Sequence, residues 1–512
     1  MKKTTVIALL LCVAMIATLA LTGCTPKTPS NPTPTDNPEP VKEKTVFNVA
    51  VTYDFDSLDP GLYIASDTDR IMLNVYEGLG KVTKEGVMGY GLAESWDFDG
   101  QTFVFHLRKG VKFHDGAELK AADVVYTIKR VAGLLPDDKS AVKELWQAVE
   151  SVEANDDYTV TMKLASPNAS FVGSLQLGII RENSASTIIA QPNGTGPYKL
   201  TSYEAGVGCT LEAHEDYWGG KPPIDTVNVK FYADTTAAML ALQNHEIQMM
   251  LVTEQNLELV PADYDKLFLS NNTTILVQLN CKEGPFADVR VRQALNYATN
   301  QQALIDAVCP GAEAVHGFVT QLQGFWQAKN IDLYPYNPDK AKALLAEAGY
   351  PDGFEFELQW FSNLSNWYEN VALILQDQWK ASNIKVNLVD TDWSTFLSTV
   401  YSNPERKYTS ALFGYTGKLD PNNSFNKLLS TYKSNVQQFS DPEYDEIILK
   451  AQNELDQNER KKLYVRAQEI IAEQAVGVWL LDNCSYIAMD NRFTGYTQYV
   501  TTYWDFTTIH LK

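Results

Sequence analysis

The sequence predicts a mixed α/β protein that folds into separate lobes. Its 512 residues are more than one ordinary hydrophobic core accommodates, so two or three domains are expected. Strand-like and helix-like hydrophobic patterns alternate from about residue 45 onward, which is typical of α/β architectures. No fixed period recurs along the chain, which argues against solenoids and propellers.

In the first half, strand and helix patterns alternate without long low-complexity stretches. Alternating or continuously apolar runs predict strands, and apolar residues at helical spacing predict helices. The expected strands are 46–51, 103–107, 159–164 and 226–232, and the expected helices are 121–131 and 234–244.

The second half is richer in helices, and one of them has both ends marked. Asn337 is placed to cap a helix, Pro338 fits its first position and Gly349 ends it. A strand, a helix and a strand follow at 354–361, 367–382 and 384–389. Two more helices, broken near residue 456, are expected within 441–476.

The N-terminus has the pattern of a lipoprotein export signal over residues 1–23. Lys2 and Lys3 precede an apolar run from residue 6 to residue 21, and small residues lead to Cys24. Removal of the signal would leave Cys24 as a lipidated N-terminus. The alternative is a single transmembrane helix, but the run is short and no basic cluster follows it. We therefore expect an extracytoplasmic protein, at the cell surface or in the periplasm, anchored to the cell membrane by acyl chains.

Residues 24–44 are expected to form an extended tether between the anchor and the folded body. Their composition cannot bury a core, and repeated prolines favour extended polyproline segments that span about 3.1 Å per residue. The prolines are Pro26, Pro29, Pro32, Pro34, Pro38 and Pro40.

Charge and composition exclude few functions. Hydrophobic residues make up 45% of the chain and charged residues 21%, which is ordinary for a globular protein. The formal net charge is −21, so the surface repels phosphate backbones and nucleic-acid binding is not expected.

Several short motifs occur in a fixed order between residues 57 and 338. Together they resemble the extracellular solute-binding proteins of peptide-type ABC importers, family 5, whose relatives bind oligopeptides, dipeptides or nickel. The motifs are SLDP at 57–60, NVYEGL at 74–79, the stretch 93–125, GTGPY at 194–198, YWGG at 217–220, FADVRVRQAL at 286–295 and YNP at 336–338.

The resemblance implies a two-lobed periplasmic-binding-protein-like fold of the type II, large peptide-binding class, with mixed sheets. One lobe would comprise residues 45–274 plus 485–512, and the other residues 275–484. The chain would cross between them in a two-strand hinge, near Leu276–Asn280 and Leu481–Cys484. Solute would be enclosed between the lobes when they close.

The resemblance also places a ligand-binding loop at residues 414–421. Backbone groups of such a glycine-containing loop can approach an extended ligand closely. The residues expected to line the cleft are Gly414, Tyr415, Thr416, Lys418 and Asp420, with Trp360 and Trp367 as further candidates.

This chain departs from the dipeptide-binding members at both ends of their ionic clamp. Those members place an acidic residue where Lys418 stands, and an arginine where residues 361–367 contain no basic residue. A buried zwitterionic dipeptide without partners is costly, so the departure favours an oligopeptide held by backbone hydrogen bonds. Lys418 could instead pair with a carboxylate or phosphate of the ligand.

The aromatic residues near the expected cleft leave an oligosaccharide as the alternative ligand, although such rings are equally often part of the core.

Four cysteines remain in the expected mature body besides Cys24: Cys209, Cys281, Cys309 and Cys484. None forms a CxxC pair, and four cysteines allow three pairings that the sequence does not resolve. Under the resemblance, Cys281 and Cys484 both lie near the lobe crossings. A disulfide between them and a pair of buried thiols are both open interpretations.

No catalytic motif is found, so an enzyme is not expected. The chain lacks the GxSxG, Walker A, HExxH and dinucleotide-binding patterns. Its six histidines show no metal-ligand spacing, which argues against a nickel or haem carrier, and no cofactor or metal is expected.

The sequence therefore predicts a monomeric substrate-binding lipoprotein that captures an extended solute, with an oligopeptide favoured, and delivers it to a permease with its ATPase subunits. A surface sensor or adhesin that has lost transport is a further alternative.

Overall fold

The computed structural model describes residues 44–136, 138, 141–361, 367–401, 408–501 and 503–512. Residues 44–512 form one compact unit. The predicted signal peptide, the lipidated Cys24 and the proline-rich tether up to residue 43 lie outside the described residues.

The described residues form eighteen strands and eleven α-helices. In chain order the strands are β1 (Val46–Val51), β2 (Gly80–Val82), β3 (Met88–Tyr90), β4 (Ala93–Phe98), β5 (Thr102–Leu107), β6 (Val149–Asp156), β7 (Thr159–Leu164), β8 (Tyr198–Glu204), β9 (Gly208–Ala213), β10 (Thr226–Phe231), β11 (Met249–Val252), β12 (Tyr264–Leu279), β13 (Phe354–Phe361), β14 (Ile384–Thr391), β15 (Ser410–Thr416), β16 (Gly477–Asp490), β17 (Phe493–Thr494) and β18 (His510–Leu511). The helices are α1 (Ser66–Met72), α2 (Ala121–Val131), α3 (Thr235–Gln243), α4 (Val289–Tyr297), α5 (Gln301–Val308), α6 (Pro338–Glu347), α7 (Trp367–Lys380), α8 (Trp393–Phe396), α9 (Asn422–Phe425), α10 (Pro442–Asn453) and α11 (Gln457–Glu473).

The locally marked elements are confirmed. The side chain of Asn337 accepts a hydrogen bond from the N–H of Lys340, and Pro338 occupies the first turn of α6. Gly349 has φ of 94°, a conformation that glycine adopts without steric cost. Asp456 caps α11 and separates it from α10, as expected from the break in the pattern.

A ten-stranded sheet extends through most of the described chain. Its strand order is β14-β13-β15-β12-β16-β11-β1-β10-β9-β8, and it mixes parallel and antiparallel pairs. The two longest strands, β12 and β16, pair antiparallel at its centre. A separate four-stranded sheet has the order β4-β5-β7-β6. The expectation of mixed sheets is thus confirmed.

An irregularity interrupts the central pair of strands. Ser270 pairs with Cys484 and Thr274 with Asp482, so β12 has extra residues between these two positions. Such a bulge bends the strand and displaces side chains from the regular ladder. Asn272, at the middle of the bulge, has φ of 50°, in the left-handed region.

Hydrophobic cores lie on both sides of this irregularity. On one side Phe47, Tyr198 and Trp504 are buried together, where β1 and β8 meet the C-terminal residues. On the other side the fully buried Trp379 of α7 packs with Phe356 of β13 and their neighbours. Burial of such large side chains provides most of the stabilisation on each side.

The disulfide differs from both interpretations of the sequence. Cys484 is bonded to Cys309, with the Cα atoms 6.1 Å apart, and Cys281 and Cys209 are free thiols. Cys281 therefore does not pair with Cys484, and Cys484 is not a buried thiol. Cys309 ends α5, which packs against β16, and this packing brings the two distant cysteines together.

Candidate ligand-binding site

A cavity of about 590 Å³ lies at the bulge of β12. Its walls come from distant parts of the chain: the ends of β1 and β11, three charged residues of α1, residues 496, 498–501, 503 and 504, and the loop 416–419. The volume falls within the range of roughly 300–1,000 Å³ that is usual for small-molecule sites. The walls combine hydroxyl, amide, aromatic and charged side chains, so the cavity can both stack on a ligand and hydrogen-bond to it.

The loop after β15 is held in place on one side by the bulge. The N–H of Gly417 donates a hydrogen bond to the backbone oxygen of Asn272 at 2.6 Å. A Cβ at position 417 would lie 2.4 Å from Oδ1 of Asn272, so glycine is needed for this close approach. Asn272 also donates to the carbonyl of Val500 and accepts from the hydroxyl of Thr320, and thereby joins four chain segments.

Two further contacts hold the rest of this loop. The side-chain amide of Gln323 donates to the carbonyl of Lys418 at 2.6 Å. Asp420 accepts hydrogen bonds of 2.7 and 3.0 Å from the guanidinium of Arg460. With its backbone anchored at both ends, the loop presents the exposed side chain of Lys418 to the cavity.

The structure separates the expected loop residues into two groups. Thr416 and Lys418 line the cavity, together with Gly417 and Leu419. Asp420 is 7% exposed and faces Arg460 instead. The carboxylate that was expected to line the cleft therefore serves to anchor the loop.

Gly414 and Tyr415 lie within β15 rather than on the cavity wall. Gly414 is buried against Ile275 of β12, where a Cβ would lie 2.7 Å from the Cδ1 atom. The hydroxyl of Tyr415 donates to Oε1 of Gln437 at 3.1 Å, and its ring contacts Phe318. Both residues support the strand that leads into the loop.

Trp360 of β13 lies in the hydrophobic core, and Trp367 of α7 is partly buried against that core. Trp360 is 5% exposed, and Nε1 of Trp367 donates to the carbonyl of Val308 at 3.0 Å. Neither ring lines the cavity. The aromatic residues that do line it are Tyr53, Tyr496, Tyr499, Tyr503 and Trp504, most of them from the C-terminal segment.

The charged wall formed by α1 was not anticipated from the sequence. Asp67, Asp69 and Arg70 line the cavity, and Arg70 forms an ion pair with Asp67. The guanidinium of Arg70 also lies 5.1 Å from the ring centroid of Trp504, a cation–π contact. The sequence signal was the alternating pair Asp67 and Asp69 shortly after the SLDP motif. No feature of the neighbouring sequence indicated that this pair lines the same cavity as Lys418.

Lys418 acts electrostatically on Asp69, which lines the same cavity. Burial raises the pKa of Asp69 to about 6, while the charges of Lys143 and Lys418 and a hydrogen bond from Tyr63 act to lower it. A carboxyl with a raised pKa lacks full compensation for its charge.

A second lysine lies near Lys418. Nζ of Lys427 lies 4.4 Å from the ring centroid of Tyr415. Burial and, to a smaller extent, the positive charge of Lys418 lower the pKa of Lys427 to about 8. The loop side of the cavity is therefore positive, and the α1 side carries a carboxyl that is only partly compensated.

The described part of the chain shows neither a metal-binding cluster nor a membrane-spanning helix. No group of three or more His, Cys, Asp or Glu side chains is arranged to hold a metal ion there. None of the helices in the described ranges has the length and apolar character needed to cross a membrane.

Residues 88–436 match the family model described as bacterial extracellular solute-binding proteins, family 5. Heme-binding protein A of Haemophilus influenzae is 31% identical over 456 residues, which cover 80% of this chain and 81% of that protein. A dipeptide-binding protein of Escherichia coli is 28% identical, over 79% of this chain and 83% of the relative. The solved structure of HbpA2 from Haemophilus parasuis has a TM-score of 0.82 at 26% identity, over 91% of this chain and all of that one.

These similarities confirm the resemblance and the fold class that the motifs implied. The family model covers more than half of the chain, and the structural match extends over both sides of the central sheet. The family consists of extracellular proteins that bind solutes for transport. This chain belongs to the bacterial extracellular solute-binding proteins of family 5.

Proposed function

We propose that this protein is the substrate-binding component of an ABC importer and that it carries an oligopeptide to the permease. The observation that carries the proposal is the cavity at the β12 bulge, whose polar lining includes both a lysine and a carboxyl. A peptide presents backbone donors and acceptors along its whole length and a charge at each end. The named dipeptide-binding relative from Escherichia coli supports a peptide ligand.

The uncharged polar lining suits an extended chain. Asn271, Thr273 and Ser485 border the cavity at the bulge, and Gln498 lies on the C-terminal segment. Such groups can exchange hydrogen bonds with peptide N–H and C=O groups, directly or through water. Contacts of this kind do not depend on side-chain identity, which suits a transporter of varied peptides.

Closure would occur about the middle of the sheet. In this proposal residues 45–274 plus 485–512 form one lobe and residues 275–484 the other. The bulge at Ser270–Thr274 and the facing Asp482–Cys484 would act as the hinge between them, since strand irregularities concentrate bending. A ligand that contacts both walls stabilises the closed state by its additional contacts there.

The protein would work as a monomer outside the cytoplasm, anchored to the cell membrane through lipid on Cys24. The proline-rich segment after Cys24 would let the folded part reach the permease while the anchor keeps it near the membrane. No reaction is catalysed in this proposal, and the solute leaves unchanged.

Haem is the second candidate, on two observations. Heme-binding protein A is 31% identical to this chain, and three tyrosines and Trp504 from the C-terminal segment line the cavity. Aromatic faces could stack on a porphyrin. An oligosaccharide is supported less, because Trp360 is buried in the core and Trp367 is partly buried against it.

The test is to identify the solute that accompanies the protein. The protein is purified under native conditions from the organism that makes it, denatured, and the released solute is analysed by mass spectrometry. Peptides should be released, and stripped protein should bind them again in calorimetry. Release of haem, with its Soret absorbance, together with no heat on addition of any peptide pool would overturn the proposal.

A further inference from the structure

We propose that the cavity selects zwitterionic peptides and orients them, with the ligand carboxylate on Lys418 and the ligand ammonium on Asp69. The inference rests on the proposed function, because it assumes a peptide ligand. It concerns polarity and end-group chemistry, which neither the family assignment nor the names of the relatives specify.

Lys418 is suited to bind an anion directly. Its backbone is anchored by Gln323 and by the neighbouring contacts of Gly417 and Asp420, while its side chain is exposed on the cavity wall. Within the described ranges, no acidic side chain forms an ion pair with it at 4.0 Å or less. A fixed backbone and an uncommitted ammonium together make a preorganised anion site.

Lys427 strengthens the positive field at this wall. Its ammonium lies over the Tyr415 ring and, like that of Lys418, forms no ion pair at 4.0 Å or less with an acidic side chain of the described residues. Burial, and to a smaller extent the like charge of Lys418, lower the pKa of Lys427 to about 8. A carboxylate placed at Lys418 would relieve this repulsion, so binding an anion is more favourable here than at an isolated surface lysine.

Asp69 is the best-placed acceptor for the ligand ammonium. Asp67 on the same helix is already paired with Arg70, whereas Asp69 receives a hydrogen bond from Tyr63 and is compensated in part by the charges of Lys143 and Lys418. Burial raises its pKa to about 6, so at neutral pH it is charged but incompletely compensated. An ammonium group nearby would compensate it and favour the ionised form.

The resulting polarity is the reverse of what the resemblance implies for dipeptide-binding members. Those members hold the peptide ammonium at the position occupied here by Lys418. In this chain a positive side chain stands there, and the carboxyl of Asp69, on α1, lines the same cavity. A peptide would therefore enter with its carboxylate toward the loop and its ammonium toward α1.

The experiment uses the full chain and three synthetic pools of random tetrapeptides: unmodified, C-terminally amidated and N-terminally acetylated. Retention after gel filtration is measured by mass spectrometry, and affinity by calorimetry. In the wild type, either modification should weaken binding by tenfold or more. In Lys418→Ala the unmodified and amidated pools should bind alike, while acetylation still weakens binding. In Asp69→Asn the unmodified and acetylated pools should bind alike, while amidation still weakens binding.

Lys385→Ala, at an exposed position on the edge strand β14, is the matched control and should behave as the wild type. The melting temperatures of all variants without ligand are compared first. Lys418→Glu is a second substitution of Lys418, and it should bind the unmodified pool more weakly than the amidated pool. Equal binding of all three pools to the wild type would overturn this inference and leave the peptide function standing. The reverse pattern of sensitivities in the two variants would also overturn it. Failure of every pool to bind would overturn the proposed function itself.

Discussion

The carboxylate of Asp420 and the guanidinium of Arg460 form a buried, two-point ion pair, with oxygen–nitrogen distances of 2.7 and 3.0 Å. Both side chains are nearly inaccessible to solvent. The hydroxyl of Tyr464 accepts a further hydrogen bond from Arg460. The pair connects α11 to the residue two positions after Lys418, and so a helix far along the chain sets the position of the cavity wall.

Asp420→Ala should destabilise the protein strongly. Removing one partner of a buried ion pair leaves the other charge without compensation, at a cost of about 3–5 kcal/mol. Urea unfolding followed by circular dichroism should show the lower midpoint. Glu459→Gln removes an exposed partner of Lys462 on the same helix and should leave the midpoint nearly unchanged. Equal midpoints for Asp420→Ala and the wild type would show that the pair does not contribute.

Gly417→Ala should weaken ligand binding about tenfold, which corresponds to about 1.4 kcal/mol. The added Cβ would lie 2.4 Å from Oδ1 of Asn272, so the loop must shift and Lys418 moves with it. Calorimetry with the tightest-binding ligand measures the change. Gly317→Ala is the matched control, since its nearest atom would lie at an ordinary 3.8 Å. An unchanged affinity in Gly417→Ala would mean that the loop position does not matter for binding.

Asp482 should make stability depend on pH in an unusual direction. Burial raises its pKa from 3.8 to about 6, against hydrogen bonds from Ser270 and Thr273. Between about pH 4 and pH 6 the native state therefore holds a proton that the unfolded state does not. The contribution of this group to the free energy of unfolding is greatest below pH 4 and is lost as the pH rises through 6.

The measurement compares Asp482→Asn with the wild type by urea unfolding at pH 7.5 and pH 5. Relative to the wild type, the variant should be more stable at pH 7.5 than at pH 5. The reason is that only the wild type loses stability when the carboxyl ionises. Glu258→Gln, at an exposed site, should follow the wild type at both pH values. A pH-independent difference for Asp482→Asn would contradict the raised pKa.

Loss of the disulfide should lower stability by about 2–4 kcal/mol, since the bond closes a long loop in the unfolded chain. Cys309 and Cys484 are 175 positions apart in the sequence. The double variant Cys309→Ser with Cys484→Ser should unfold at lower denaturant concentration than the wild type. Cys281→Ser, which leaves the bond intact, is the control. If the wild type in dithiothreitol unfolds at the same concentration as in its absence, the bond is not stabilising.

Some features could be predicted because their causes are local. The cap at Asn337, the proline at the next position and the glycine that ends α6 act within a few residues of one another. Thr416 and Lys418 were anticipated as cavity residues because the loop motif resembles that of the family, and both line the cavity.

Other features depended on contacts between distant segments. Asp420 had the right chemistry for a ligand contact, but Arg460, forty positions away, holds it instead. Trp360 and Trp367 had rings suited to stacking, but Trp360 lies in the core and Trp367 packs against it. The pairing of Cys484 with Cys309 rather than Cys281 followed from the packing of α5 against β16.

By itself the sequence determined the class of fold, the family and the loop that carries Lys418, since these depend on periodicity, local capping and ordered motifs. Only the tertiary structure decided which charges meet across the cavity. Asp69 and Lys418 are separated by most of the chain, and their electrostatic interaction arises because the fold brings α1 and the loop after β15 to one cavity. Coulomb interactions depend on distance in space, which a linear order of residues does not specify.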